Sequence, residues 1–295
     1  MATDMCRDCF KGTIHEGEIK GEVTKIHDLD TYVSHPPEAV EATSPAVIVM
    51  IPDGLGWEGK NLRLTADRYA ARTGCKVYLP DFMAGRSMPE YIMTFPIEEI
   101  ISNWTSPRAL IKKPYYFFWM IVNFIPFAMK NSIPKSHLRV VKFFTELRKS
   151  EEGRNKLVGV AGFCWGGKHA FLLGAEKSVE GDKPYLIDFA FSGHPSHVII
   201  PKEIDELETP MSVAMGTEDF MNKKDFSEAM KAGLEKKEGR AQGSEFVFWE
   251  GGNHGFACRA DLSNDKLKEA ADGAEDQFVR WVQKMVETLR PIGAG

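Results

Sequence analysis

Residues 156–172, KLVGVAGFCWGGKHAFL, restrict what this chain can fold into more than any other stretch. An apolar run ends at Gly162, a helix-competent run begins near Lys168, and Cys164 stands between them in the pattern G-x-C-x-G-G. A strand that turns directly into a helix leaves no room for side chains beside the turn, so glycines at 162, 166 and 167 answer a steric demand. The spacing is that of a nucleophile elbow with sulfur in place of the serine oxygen. A thiol at that turn lies near the N-terminus of a helix, where the backbone dipole favours the thiolate. The bland alternative is a small core cysteine at a glycine-rich strand end. No G-x-S-x-G occurs in the chain, which leaves Cys164 as the elbow nucleophile on offer.

An elbow needs a sheet around it. Short apolar or β-branched runs at 46–51, 75–80, 156–162, 186–193, 211–216 and 244–250 alternate with longer segments of helical period, a rhythm that predicts a parallel sheet covered by helices. Several of these runs lack polar alternation, as strands buried on both faces do. Asn61 to Thr73 reads as a helix stopped by Gly74. Ser136 is a candidate cap for a helix through Arg148 with Leu138, Val141 and Leu147 facing inward, and Asn264 for a closing helix from Asp265 to Leu289. With 43% apolar residues in 295 positions and no repeat or low-complexity linker, the expectation is one doubly wound, mainly parallel α/β domain over 1–295 with helices on both faces.

Charge and termini narrow the partners. A formal net charge of −5 offers no basic footprint for nucleic acid. The start, MATDMCRDCF, is acidic and has no apolar stretch of signal-peptide length, so an intracellular, cytoplasmic protein is expected. Five cysteines suit reduced thiols better than a disulfide framework. Cys6 and Cys9 form a C-x-x-C pair with no second pair at zinc-finger spacing, and His194 and His197 in SGHPSH have no nearby third ligand; neither pair closes a metal site. No metal and no organic cofactor are expected. The end, RPIGAG, reads as a frayed terminus.

One segment breaks the rhythm. From Ile101 to Thr145 there is no Asp or Glu, while seven Lys and Arg residues occur, and YYFFWMIVNFIPF at 115–127 is crowded with aromatics. The run is too short to span a membrane, which takes about 20 apolar residues, so no transmembrane segment is expected. Three readings fit: a buried core helix, a cap over about 100–137 that lines an apolar pocket through Phe117, Phe118 and Trp119 with Lys112 and Lys113 at its rim, or an interfacial membrane contact. A cap-like insertion is the expectation carried forward, with core and membrane contact left open.

A cysteine nucleophile wants a base, and the base wants an orienting carboxylate. Downstream of Cys164 one strand candidate runs into Thr217-Glu218-Asp219 and another into Gly252-Asn253-His254-Gly255-Phe256. That gives Asp219 as acid and His254 as base, with Glu218 as the alternative acid. His194 is a candidate pocket residue, His169 a packed or half-exposed one, and Cys258 a structural thiol.

G-F-C-W-G-G at 162–167, T-E-D at 217–219 and N-H-G-F at 253–256 together resemble the dienelactone hydrolase family, a Cys-His-Asp branch of the α/β-hydrolases, and the likeness covers most of the chain. CFKGTIHEGEIKGEV and DLDTYVS resemble fungal-type members in particular. The resemblance implies an α/β-hydrolase fold. It also implies an acidic residue after the first buried strand that contacts the resting thiol; here the stretch is Pro52-Asp53-Gly54-Leu55-Gly56, with Asp in place of the family's Glu. The amides of Gly54 and Trp165 are the oxyanion candidates, and Arg86, after Pro80-Asp81, is the candidate for a substrate carboxylate.

What the resemblance implies about function is a carboxylic ester hydrolase that opens a small-molecule lactone or ester, in a setting such as lactone breakdown or polyketide tailoring. The aromatic insertion suggests a bulkier, more apolar substrate than a small diene lactone. Two further readings stay open: a thioesterase or acyltransferase fed by a carrier-bound acyl chain, and a ligand-binding protein that keeps the fold without turnover.

Overall fold

The computed structural model describes residues 12–41, 44–90, 107–178 and 183–289. Cys6, Cys9 and the terminal RPIGAG lie outside them, as does the first part of the insertion. Eight strands form one sheet in the order β1-β2-β4-β3-β5-β6-β7-β8: β1 (Glu22–Ile26), β2 (Leu29–Ser34), β3 (Ala46–Ile51), β4 (Lys76–Pro80), β5 (Leu157–Phe163), β6 (Phe189–Gly193), β7 (Met211–Gly216) and β8 (Glu245–Trp249). The first two strands are antiparallel, and from β4 to β8 every pairing is parallel. This is the α/β-hydrolase arrangement. Each expected strand is present, although the 186–193 run enters the sheet only at Phe189. β1 is an addition: it is exposed and polar, so its sequence carries no burial signal.

The unbroken apolar runs are explained by two cores. Along β3, Val47, Val49 and Ile51 point into one cluster and Ala46, Ile48 and Met50 into the other. The period of two is therefore kept, with both faces dry. The longer helices are α1 (Lys60–Thr73), α2 (Pro107–Lys130), α3 (Ile133–Lys149), α4 (Trp165–Leu173), α5 (Lys224–Glu235) and α6 (Asp265–Leu289). Phe143, Phe144 and Leu147 of α3, Phe171 of α4 and Met230 of α5 cover one face. Leu62 and Tyr69 of α1 and Phe278 and Trp281 of α6 cover the other, with Tyr69 and Phe278 stacked at 3.9 Å.

Helix ends follow local chemistry. Gly74 closes α1 in the left-handed conformation at φ 68°. Asn264 accepts from the Lys266 and Leu267 amides and so opens α6 as expected. The expected start of α3 is wrong by a turn: Ser132 stands at its N-cap with Pro134 in the first turn, and Ser136 is a buried interior residue that bonds the Ser132 carbonyl and the His169 ring. Leu138, expected inward, is exposed, because nine residues at 100° each set it opposite Leu147, which shares the buried face with Val140, Phe143 and Phe144.

Candidate active site

β5, α4 and the loops after β3, β7 and β8 meet at Cys164. A Cβ on Gly162 would stand 2.3 Å from the Gly166 carbonyl oxygen, one on Gly166 would stand 2.1 Å from the Ile51 oxygen, and one on Gly167 would stand 2.6 Å from Ser192 Oγ. Real side chains do not tolerate such approaches, so the three glycines are what lets α4 start hard against the sheet. Cys164 itself sits at φ 51°, ψ −110°, a strained conformation for a residue with a side chain. It is held there by its amide on the Gly193 oxygen at 3.1 Å and by the Ser196 amide on its own carbonyl at 3.1 Å.

The acid and the histidine follow the neighbouring strands β7 and β8, both on the same side of β5. Nε2 of His254 lies 3.1 Å from Cys164 Sγ, and its Nδ1 lies 3.0 and 3.1 Å from the two oxygens of Asp219. All three residues are buried. Asp219 accepts in addition from the Met221 amide and from Asn222 Nδ2, which also donates to the Pro195 carbonyl. Glu218 is exposed, and only its backbone amide is used, on the Gly252 oxygen. Geometry thus favours Asp219 over Glu218.

Electrostatics follow from that contact. Burial alone raises the Cys164 thiol, but the charge and hydrogen bond of His254 outweigh burial and leave it below its ordinary value. For His254, burial pulls the other way from its partners: the Cys164 thiolate and the Asp219 carboxylate overcome it and push the imidazole up to about 10. Each group thus favours the charged form of the other, thiolate on Cys164 and imidazolium on His254.

Asp53 is placed differently from the family-based expectation. Its Oδ1 accepts from the Leu55 amide at 3.0 Å, and its Oδ2 accepts from Arg259 Nη1 at 3.2 Å, with the Cys258 thiol at 3.7 Å. The carboxylate thus faces a buried arginine, whereas the hydrogen-bond partners of the thiol are His254 and, at 3.8 Å, Ser196 Oγ. Burial and the Asp53 charge push the Cys258 thiol well up, consistent with a structural, protonated residue. His194 does not line an open pocket. It is fully buried, its ring stands edge-on to His254 at 5.1 Å, and burial and the neighbouring positive charges keep it neutral. His169 is likewise buried, between Ser136 Oγ and His137 Nδ1. Among the described residues, no three His, Cys, Asp or Glu side chains are grouped to hold a metal ion.

The loop after β3 carries Gly54 and Leu55. The Gly166 amide donates to the Pro52 carbonyl, and the Met88 amide to the Gly54 carbonyl. This loop is thereby fixed to both the elbow helix and the turn after β4. The amides of Gly54 and Trp165 make no backbone hydrogen bond among the described residues. Arg86 is exposed on that turn, and its carbonyl accepts from Asn131. Above the loop, Trp119, Phe124 and Phe127 of α2 pack against Leu55 and Met88. Phe118, expected to line a pocket, instead faces outward at 67% exposure. The side chains of Lys112, Lys113 and Phe117 lie outside the described residues.

A profile of the dienelactone hydrolase family matches residues 29–286. The chain belongs to the dienelactone hydrolase family. It is a hydrolase of the esterase and lactonase type. Among curated relatives it is similar to hydrolase pyvD of Aspergillus violaceofuscus, 27% identical over 95% of this chain and 96% of that one. It is also similar to hydrolase tropI of Talaromyces stipitatus, 24% identical over 95% and 96%. Its fold is shared with a dienelactone hydrolase from Anabaena variabilis, at a TM-score of 0.53 and 13% identity over 90% of this chain and 99% of that one.

Arg259, Ser196 and Asn222 are the site neighbours that the residue pattern did not single out. Arg259 had a signal: a buried aspartate after a central strand needs a cation, and an arginine lies five positions after His254. Ser196 and Asn222 carried none, because hydrogen bonds across loops have no spacing rule.

Proposed function

We propose that this dienelactone hydrolase family member cleaves lactones or esters with a bulky apolar acyl part through Cys164, His254 and Asp219. The observation that carries the reading is the continuous contact from the Cys164 sulfur through His254 to Asp219. In this reaction the thiolate attacks the carbonyl carbon, and the negative charge moves to the carbonyl oxygen beside the Gly54 and Trp165 amides. Collapse breaks the carbon–oxygen bond of the ester. The departing alkoxide takes the proton from His254 Nε2; in a lactone it stays attached to the acyl chain. The neutral imidazole then takes a proton from water, the hydroxide attacks the thioester, and the C–S bond breaks to restore thiolate and imidazolium.

Asp219 orients the ring and balances its charge. The packed Leu55, Met88, Trp119, Phe124 and Phe127 support an apolar acyl group, because such a lining offers area but few hydrogen bonds. Arg86, exposed on the turn above the loop, is the candidate to meet an anionic end of the substrate. Asp53, through its bond to the Leu55 amide, sets the shape of the oxyanion loop. His194 supports the His254 ring from beneath.

The test is brief incubation with aryl esters, diene lactones and macrolactones, followed by intact-mass measurement. An acyl adduct on the wild type that is absent from Cys164→Ala is expected. Turnover without any dependence on Cys164 rules the mechanism out. Tight binding without adduct or turnover indicates a ligand-binding member, and transfer to an added thiol or alcohol in preference to water indicates an acyltransferase.

A further inference from the structure

Helix α2 has two apolar faces, and among the described residues only one of them is covered. At 3.6 residues per turn, Phe118, Ile121, Val122, Ile125 and Met129 fall within about 100° of arc, roughly opposite Phe127. All five are exposed, Phe118 and Met129 at 67% each. The covered face packs on Leu55 and Met88. A row of large exposed apolar side chains on one helix marks a surface that meets something other than water.

Charge says what that something is. Residues 114–129 contain no charged side chain, and they are bracketed by Lys112-Lys113 on one side and Lys130 and Lys135 on the other. Lys130 and Lys135 are exposed, and Lys135 Nζ reaches back to the Met129 carbonyl at the end of the apolar row. The span 101–145 holds seven basic and no acidic residues, while the rest of the chain carries 30 basic and all 42 acidic ones. Two copies meeting through this face would set like charges against each other. An anionic bilayer surface supplies both an apolar phase for the row and phosphates for the lysines. Sixteen uncharged helical residues reach about 24 Å at 1.5 Å each, short of the ~30 Å hydrocarbon core. The helix has the length to lie in the interface and not to cross it.

We infer that α2 docks the protein on anionic lipid surfaces through Phe118, Ile121, Val122, Ile125 and Met129, with Lys130 and Lys135 at the headgroups. The inference does not depend on the acyl group hydrolysed. It places the site-covering helix at the boundary where apolar esters and lactones concentrate.

The experiment is co-sedimentation of the full chain with vesicles of phosphatidylcholine alone or mixed with phosphatidylglycerol, at low and high salt. Binding to the phosphatidylglycerol vesicles, weakened by salt, is expected. Phe118→Glu and Ile125→Glu, made separately and each checked for wild-type circular dichroism, should reduce binding about tenfold or more. Hydrolysis of a small soluble ester should stay within about twofold of wild type in both. No sedimentation with either vesicle, equal binding to both, or unchanged binding by both variants overturns the inference. Self-association without lipid that Phe118→Glu abolishes shows that a second copy, or another protein, is what the face meets, and overturns it equally.

Discussion

Nε2 of His254 stands 3.1 Å from the sulfur of Cys164 although 90 residues separate them in the chain. The contact joins two loops that leave the sheet at different strand ends, and each residue changes the proton affinity of the other. His254 brings the thiol down against the opposing effect of burial, and the thiolate raises the imidazole to about 10. The reactive form is therefore defined by a pH window rather than by either residue alone.

That window is measurable. Below the thiol's lowered value the sulfur is protonated, and above about 10 the imidazole has lost its proton, so kcat/KM should rise from acid and fall again near that upper limit. Alkylation of Cys164 by iodoacetamide should begin below the ordinary thiol value of 9.0. In His254→Ala the largest effects that oppose burial are gone, so the alkylation curve should move to higher pH. An unchanged curve would show that the imidazole does not ionise the thiol.

The two adjacent carboxylates should separate cleanly. Asp219 is buried on His254, and Glu218 points to solvent. Asp219→Asn should lower kcat by about 10² to 10⁴, since the amide disturbs the ring's orientation and no longer balances its charge. Glu218→Gln should stay near wild type, and the reverse ranking in steady-state kinetics would reassign the acid.

Much of this site was legible from residues alone because its constraints are local. G-x-C-x-G-G encodes a turn whose glycines are demanded by neighbours 2.1 to 2.6 Å from where a Cβ would stand, and the loops bearing Asp219 and His254 follow apolar runs that form strands. Where the reading went wrong, the deciding interaction was long-range. Asp53 turns to Arg259, 206 residues away, and Phe118 turns outward because Phe124 and Phe127 already occupy the face toward Leu55. Exposed β1 pairs through its backbone, so its side chains had nothing to announce.

The Asp53–Arg259 pair predicts a stability effect distinct from the triad's. Both groups are buried, and Oδ1 of the same carboxylate holds the Leu55 amide. Asp53→Ala removes one partner of a buried ion pair and should cost about 3 kcal/mol in chemical denaturation. Cys164→Ala should leave stability within about 1 kcal/mol, because it trims one small side chain, while kcat falls by several orders of magnitude. A stable Asp53→Ala protein would mean that Arg259 is held adequately by its other contacts.

The covered face of α2 makes the final prediction. Phe127 lies over Gly54, its ring carbon 3.9 Å from where a Cβ would stand on that residue, and Trp119 packs with it toward Leu55 and Met88. On the proposed function, an acyl chain extends from a carbonyl at Cys164 past Gly54 toward these rings. A small acetyl group would not reach them. Trp119→Ala and Phe127→Ala should therefore raise KM for a long-chain or aromatic acyl ester by about tenfold, the loss expected when a large apolar contact of 1.5–3 kcal/mol is removed in part. An aryl acetate should be affected little in KM or kcat. The comparison must be made at one temperature well below both melting temperatures, because Phe127 also touches the main core. Equal losses on both esters, together with a lowered melting temperature, would mean that the helix stabilises the fold without shaping the substrate site.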